Sequence, residues 1–431
     1  MKELIKKIIP ANWLSFYHKT MAVLAAFYYR HPSEKLIVIG VTGTKGKSTT
    51  TNIIWHMLHE AGHKAGLTAT TNFRIHDKEW VNEKKMTMVG RFQLQKLLSD
   101  MVKAGCEYAV VETSSEGIKQ WRHYGINYDI AIFLNLSPEH IESHGGYDNY
   151  KKAKGELFKS LALKEKIING KKIKKTIIAN FDDKESGYFL GFPADEKITY
   201  GTRNSADINA TEIKNSEQGI SFKINEATDF TLKQIGAFNI YNALPAIAVG
   251  TALGFTLSDM SNYLKKFKGM PGRMELINEG QNYKVIVDYA YEPKCLELVL
   301  QTIKELYINE ELKNKIIAVS GPTGGGRDSW RRPVMGEILS KYCGAAVITT
   351  DDPYDDDPSK IADEMIKGIK NIKHYKIIDR REAIKKALSL AQKDDIVLLA
   401  GKGSDPVMAM PHGVKVKWDD RDVARELLHC G

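Results

Sequence analysis

Cysteine is scarce: the 431 residues hold four, Cys106, Cys295, Cys343 and Cys430, far apart and without a C-x-x-C pair. That excludes a disulfide-stapled scaffold and a zinc ribbon, and it fits a reducing, cytoplasmic setting. Also missing is any uninterrupted apolar run of the ~20 residues that a bilayer-spanning helix needs. The nearest candidate, Trp13 to Tyr29, is broken by His18 and Lys19. No small-residue cleavage site accompanies it, so a signal peptide is excluded as well as a multi-span membrane protein. There is no internal repeat and no low-complexity stretch. A hydrophobic fraction of 43% against 27% charged residues leaves an ordinary globular chain and rules out disorder.

What is present is a mild excess of positive charge, 62 Lys plus Arg against 53 Asp plus Glu, for a net +9. Such a balance suits nucleic acid, an anionic membrane surface or phosphorylated substrates. The lysines gather in mixed runs such as Lys171 to Lys175, the pattern of a solvated face rather than of a nucleic-acid surface. The length argues for two or three domains, each able to bury a core. Residues 1–35 stand apart, with Lys2, Lys6 and Lys7 ahead of the aromatic segment. A helix packed on the body and a helix lying in weak contact with a membrane surface, lysines near anionic lipid, both fit that pattern.

From Leu36 the chain alternates between strand-like and helix-like segments, the signature of an α/β fold. The runs from Leu36 to Val41, Tyr108 to Glu112, Ile130 to Leu134 and Thr176 to Ala179 read as buried strands of a mostly parallel sheet. Thr199 to Leu232 reads as a small antiparallel portion, and Asn239 to Leu253 as a helix. A second α/β set follows, with strands expected at Lys284 to Val287, Lys315 to Val319, Ala345 to Thr349 and Ile396 to Ala400. The Gly and Pro residues of 269–272 mark a hinge. The expected organisation is an N-terminal helical segment (1–35), a central nucleotide-binding domain (36–268) and a C-terminal Rossmann-like domain (269–431). Ligands are expected beyond the carboxyl ends of the strands, in a cleft between the two domains.

Gly40-Val41-Thr42-Gly43-Thr44-Lys45-Gly46-Lys47-Ser48-Thr49 sits between a strand and a helix. In that context backbone N–H groups and a helix N-terminus face an anion, Lys47 adds a point charge, and Ser48 offers a hydroxyl to Mg²⁺. Val41 stands where the generic phosphate-loop motif has glycine. Glu112, at the end of a buried strand, is a second candidate Mg²⁺ ligand. His140, between Glu139 and Glu142, is either a metal ligand or a surface histidine capped by carboxylates.

Thr42 to Thr49 resembles the nucleotide loop of the Mur ligases, with Lys45 where that family has Asn. Val111-Glu112-Thr113-Ser114-Ser115-Glu116-Gly117-Ile118 with Arg122 resembles the E-V-S-S-H-x-L…R segment of its tripeptide synthetases. Phe133 to Gly145 resembles the family's T-N-L-x-x-D-H-L-D-x-H-G. Tyr150 to Phe158 is similar to Y-x-x-A-K-x-x-L-F, Gly236 to Ala243 to G-x-F-N-x-x-N-A, Met270 to Glu275 to P-G-R-x-E, and Val287 to Pro293 to V-D-Y-A-H-x-P. Ser320 to Asp328 with Arg332 and Pro333, and Gly401 to Asp405, resemble two further glycine-containing motifs. The resemblance runs from Leu36 to nearly the C-terminus.

It implies a P-loop ATPase domain followed by a Rossmann-like domain, ATP and Mg²⁺ as cofactors, and a monomer. The reaction implied is the joining of a free amino acid to a carboxylate of a UDP-muramoyl peptide through an acyl phosphate. Gly43, Thr44, Gly46, Lys47, Ser48, Thr49, Asn135, Asn242, Asp288 and Tyr289 would then contact nucleotide. Asn239 would do so too or cap its helix, and Arg273 would reach the phosphates. Ser48, Glu112, His140 and Lys154 would surround the metal, Lys154 as a carbamate, since a free ammonium is repelled by a cation. Lys47, Lys154, Glu112, His140 and Arg273 are the catalytic set.

Thr87, Ser114, Arg122 and Arg327 would hold substrate, with Arg122 alternatively a solvated helix residue. Asp351, Asp352, Tyr354, Gly401, Lys402 and Asp405 would line the acceptor pocket. There the diaminopimelate-adding enzymes carry Asp-Asn-Pro-Arg, whereas this chain has Asp351-Asp352-Pro353-Tyr354. Without that guanidinium, and with acids nearby, the pocket favours a lysine-like acceptor. The family's uridine-gripping N-terminal domain has only residues 1–35 in its place. Folylpolyglutamate synthase, which shares the loop style, and a non-catalytic nucleotide-binding module are the rival readings.

Overall fold

The computed structural model describes residues 11–429 apart from 85, 138–143, 204, 310, 327 and 328, and the backbone alone at 11 and 12. The chain divides into two compact units, one of residues 1–214, 221–232 and 239–267, the other of 215–220, 233–238 and 268–431.

The first unit is built around β1 (Ile37–Thr42), β2 (Ala65–Thr68), β3 (Asn72–Ile75), β4 (Lys78–Val81), β5 (Tyr108–Glu112) and β6 (Ile130–Phe133). A short antiparallel hairpin, β7 (Ile167–Ile168) and β8 (Lys171–Lys172), precedes β9 (Thr176–Asn180) and β10 (Glu196–Gly201). The sheet continues through β11 (Ile208–Ser216), β12 (Gly219–Ile224) and β13 (Thr228–Leu232). The order is β13-β12-β11-β10-β9-β6-β1-β5-β2-β3-β4. The β-branched runs form the centre because strands covered on both faces bury every residue, and β1, β5, β6 and β9 do so almost without exception.

The stretch from Thr199 differs from the expectation. Its first strand, β10, begins three residues earlier and runs parallel to β9, pairing Glu196 with Thr176 through Tyr200 with Asn180, and it runs parallel to β11 as well. Its exposure alternates because one face is only partly covered, and that alternation resembles an antiparallel strand.

The second unit carries β14 (Glu275–Ile277), β15 (Lys284–Asp288), β16 (Ile316–Ser320), β17 (Ala345–Ile348), β18 (Lys373–Lys376) and β19 (Ile396–Ala400). Their order is β14-β15-β19-β16-β17-β18, parallel except for β14. Apolar cores lie on both faces of this sheet.

One buried charge cluster fixes the base of the first sheet. The Asp129 carboxylate accepts from the Val38 N–H at 2.8 Å and from Lys175 Nζ at 2.9 Å, and also bonds Lys166 Nζ. Lys166 donates further to Leu36 O and Asn127 O, and burial pushes its ammonium down to about 8. Asp129 and Lys166 are wholly buried, so deleting the shared anion strands two cations in low dielectric. Asp129→Ala is expected to cost about 3–5 kcal/mol in denaturant unfolding, against under about 1 kcal/mol for an exposed pair partner such as Glu165→Ala.

Candidate functional site

β1 ends at Thr42, and the helix Lys47–Glu60 begins after four intervening residues. Between them the chain turns through Gly43, Thr44, Lys45 and Gly46. Gly46 has φ +83°, and a Cβ there would overlap Asn242 Oδ1, so only glycine meets both demands. Asn135, after β6, braces the turn. Its Oδ1 accepts from the N–H groups of Thr44 (3.1 Å) and Lys45 (2.9 Å), and its amide donates to Lys45 O (3.1 Å). The Asn242 amide in turn donates to Asn239 Oδ1 at 2.7 Å. Asn239 occupies the N-cap position of the helix Ile240–Ala252 but makes no capping bond with its side chain.

Two ammonium groups converge on this turn. Lys47 Nζ donates to Gly43 O (3.0 Å) and Thr44 O (2.9 Å), and Lys154 Nζ donates to Gly43 O at 2.8 Å. Lys154 is 1% exposed, on the helix Tyr147–Leu161, with its ammonium 4.5 Å from the Tyr150 ring centre. The Tyr150 hydroxyl lies 3.1 Å from Thr44 Oγ1. Thr49 is buried in the first turn of the 47–60 helix, whose leading N–H groups lack intrahelical acceptors and so attract an anion.

Glu112 stands beside the turn because β5 pairs with β1 in the register Val41 to Glu112. Its carboxylate accepts from Ser48 Oγ (2.8 Å) and from the Thr70 N–H (2.7 Å), and the Thr70 hydroxyl is 2.9 Å from its other oxygen. The same hydroxyl lies 2.9 Å from Thr87 Oγ1. The Ser48 and Glu112 oxygens suit a hard divalent cation. Neighbouring ligands in an octahedron of ~2.1 Å bonds sit about 3 Å apart, close to their 2.8 Å separation.

Ser114 caps the helix Ser115–Lys119, its Oγ accepting from the Gly117 N–H at 3.2 Å. Arg122 donates to Met88 O, next to Thr87, and to Gln120 Oε1 at 2.7 Å. Burial pulls its guanidinium below the ordinary range, with Glu116 opposing. His140 lies outside the described residues, as does Arg327. Buried His144 approaches Glu116 to 3.2 Å.

Thr70, Gln120 and Tyr150 were not anticipated from the sequence. The available signal was position: Thr70 follows the carboxyl end of β2, which neighbours β5 in a parallel sheet.

In the second unit the Arg273 guanidinium lies 4.3 Å from the Tyr289 ring centre, and the Met274 N–H donates to Asp288 at 2.8 Å. Burial pushes the Asp288 carboxyl up to about 6, against the pull of Arg273. The Gly401 N–H donates to Asp288 O, joining β19's end to β15's. Lys402 is enclosed by carboxylates, at 2.9 Å from Asp352, 3.0 Å from Asp405 and 3.6 Å from Asp351. Burial drives the Asp351 carboxyl up to about 6, with Lys402 pulling the other way.

The rest of the acidic run is also engaged. Asp355 accepts from the His412 N–H, Asp356 from Gly325 N–H and Arg332, and Asp357 caps the helix Pro358–Ile366. Tyr354 has φ +51°, and its ring packs over Gly325, where an added Cβ would come within 2.6 Å of it.

The family models for the Mur ligase middle domain and the Mur ligase glutamate ligase domain match residues 41–250 and 272–403. The UDP-N-acetylmuramoyl-L-alanyl-D-glutamate–2,6-diaminopimelate ligase of Bacillus cereus is 38% identical over 97% of this chain and 84% of its own length. The chain belongs to the Mur ligase family. The Geobacillus kaustophilus ligase of the same name is 36% identical over the same shares of both chains.

A solved structure of such a diaminopimelate ligase matches this Mur ligase with TM-score 0.63 at 31% identity, covering 92% of this chain and 78% of the other. Mycobacterium tuberculosis folylpolyglutamate synthase, complexed with ADP and AMPPCP, reaches TM-score 0.69 at 14% identity, covering 89% and 92%; that likeness is one of fold. Membership makes this Mur ligase an ATP-dependent, ADP-forming enzyme of peptidoglycan synthesis that works with Mg²⁺.

The Asp288 shift has a consequence for stability. Unfolded, this carboxyl releases its proton near 3.8; folded, near 6. Between those values the folded chain holds the extra proton, so the group's contribution falls as pH rises and is gone above the folded value. The melting temperature of Asp288→Asn relative to the parent is therefore expected to climb from pH 4 to pH 7. Calorimetry across that range reads it, and a flat or falling difference would contradict it.

Proposed function

We propose that this Mur ligase uses ATP to convert the free carboxylate of UDP-N-acetylmuramoyl-L-alanyl-D-glutamate into an acyl phosphate, which the amino group of a third amino acid then attacks. The observation that carries this reading is the chain of contacts from Ser48 through Glu112 and Thr70 to Thr87. It ties the nucleotide loop to the residue placed at the donor, so both reactants are held by one set of hydrogen bonds.

In this reading the loop amides and Lys47 hold the β- and γ-phosphates, with Lys47 turning from the Gly43 and Thr44 carbonyls to the incoming anion. Ser48 and Glu112 hold Mg²⁺, which when bound draws charge from the transferred phosphoryl group. Asn135 and Asn242 keep the loop in shape, with Asn239 fixing the Asn242 amide. Thr87 and Arg122 position the donor, with Ser114 shaping the helix start beside them. The acyl phosphate is open to water, so the amine must be bound before it forms.

Lys154 is read as a carbamate in the working enzyme. A buried ammonium beside a metal is doubly unfavourable, from desolvation and from like charge, whereas a carbamate offers oxygen to Mg²⁺. Protein equilibrated with ¹³C-bicarbonate is expected to give a carbamate carbon resonance that Lys154→Ala lacks. An identical spectrum for the two proteins would remove this part of the proposal.

The acceptor is proposed to be lysine or ornithine rather than diaminopimelate. Tyr354 stands where the diaminopimelate-adding enzymes have arginine, and Lys402 is already enclosed by three carboxylates. A second acceptor carboxylate would not find at position 354 the guanidinium that pairs with it in those enzymes. Purified enzyme with ATP, Mg²⁺, the UDP-muramoyl dipeptide and each amino acid in turn, read by product mass and ADP release, tests the whole scheme. The expected product carries lysine or ornithine, with at least about tenfold lower turnover for diaminopimelate. Preference for diaminopimelate would reverse the acceptor assignment, and glutamate addition to a folate would reverse the donor.

A further inference from the structure

The helix Ala11–Tyr28 distributes its side chains in the reverse of the usual order for a helix on a soluble domain. Its inward positions are small: Ala22, Ala25 and Ala26 are at most 1% exposed and let the helix settle closely on the helix Arg91–Lys103. A Cβ on Gly125 would come within 2.9 Å of Ala26 Cβ and 3.2 Å of Ala22 O. Polar contacts secure the same side. The Trp121 indole N–H donates to Ser15 Oγ at 2.8 Å, and Lys19 Nζ lies 5.2 and 5.1 Å from the Trp121 and Tyr124 ring centres.

The outward positions are large and apolar. Trp13, Phe16, Tyr17, Leu24, Phe27 and Tyr28 recur at helical spacing on one stripe, and Trp13, Phe16, Phe27 and Tyr28 are each 70–72% exposed. Phe92, 39% exposed on the adjoining helix, extends the stripe, its ring centre 6.2 Å from that of Tyr28. A contiguous face of this kind is costly in water and marks an interaction site.

Charge chooses the occupant. Residues 1–35 hold Lys2, Lys6, Lys7, Lys19, Arg30 and Lys35 against Glu3 and Glu34, a net +4 of the chain's +9. No helix among the described residues is long and apolar enough to cross a membrane. Arg30 lines the apolar cavity formed by Leu24, Phe27, Tyr28, His31 and Phe92, so the stripe joins aromatic rings to a cation, the pairing that suits an anionic bilayer surface, with rings among the headgroups and the guanidinium at the phosphates.

We propose that the outer face of the Ala11–Tyr28 helix is a membrane-docking surface that seats the enzyme on anionic lipid. The inference does not depend on which donor or acceptor the enzyme uses.

Flotation of the full chain with phosphatidylcholine vesicles, with and without phosphatidylglycerol, tests it. Co-flotation is expected with the anionic vesicles only, weakened at about 0.5 M salt. The double variant Phe16→Ser/Phe27→Ser is expected to lose about tenfold or more of that partitioning. Its melting-temperature rise with Mg-ADP should be unchanged, which separates lost docking from lost folding or lost nucleotide binding. Absence of flotation, or equal flotation of parent and variant, overturns the proposal. So does a dimer of the parent in light scattering without lipid that the variant converts to monomer, since that outcome assigns the face to a second copy of the chain.

Discussion

Two lysine ammonium groups meet at one carbonyl oxygen, that of Gly43, and much of the first unit is arranged around that concentration of positive charge. Lys47 arrives from the helix that follows the loop and Lys154 from a helix more than a hundred residues later. Lys47 donates to Thr44 O as well, so the two ammonium groups share the carbonyls of one short turn. Lys47 and the N–H groups at the start of its helix suit that turn to an anion. Asn135 shapes the same turn by bonding the backbone of Thr44 and Lys45, and Asn242 by its close approach to Gly46.

Glu112 provides the opposing charge one strand away. The register of β5 against β1 puts its carboxylate beside Ser48, one residue along the chain from Lys47. That placement follows from parallel pairing, which brings the carboxyl ends of neighbouring strands, and the loops after them, to one edge of the sheet. In the second unit the carboxylates are engaged differently. Asp351, Asp352 and Asp405 enclose Lys402, and that cluster holds the loops after β17 and β19 together.

Central strands were legible in the sequence because burial on both faces leaves a nearly continuous apolar run, as in Ile37–Thr42 and Ile396–Ala400. Direction of pairing was not legible at β10: Glu196 to Gly201 alternates in exposure because one face is partly wet, and alternation carries no information about the orientation of the neighbour. Lys47 and Ser48 stood out because a phosphate loop is a local device whose spacing is contained in a few residues. Thr70 did not, since its place between Glu112 and Thr87 arises from three loops that meet only in the folded sheet. The acidic run Asp351–Asp357 looked like one feature but is several. Composition showed the charge there, while backbone direction decided that one carboxylate caps a helix, another meets Arg332 and a third neutralises Lys402.

Thr70 has one hydroxyl proton and two oxygen neighbours at equal distance, Glu112 and Thr87. A charge that drew on the Glu112 oxygens would leave the carboxylate needing that proton less, and the hydroxyl would be free to turn toward Thr87. Whatever draws on the Glu112 oxygens and whatever draws on Thr87 are thereby coupled, by the same factor in both directions. The two neighbours share a single rotatable O–H bond.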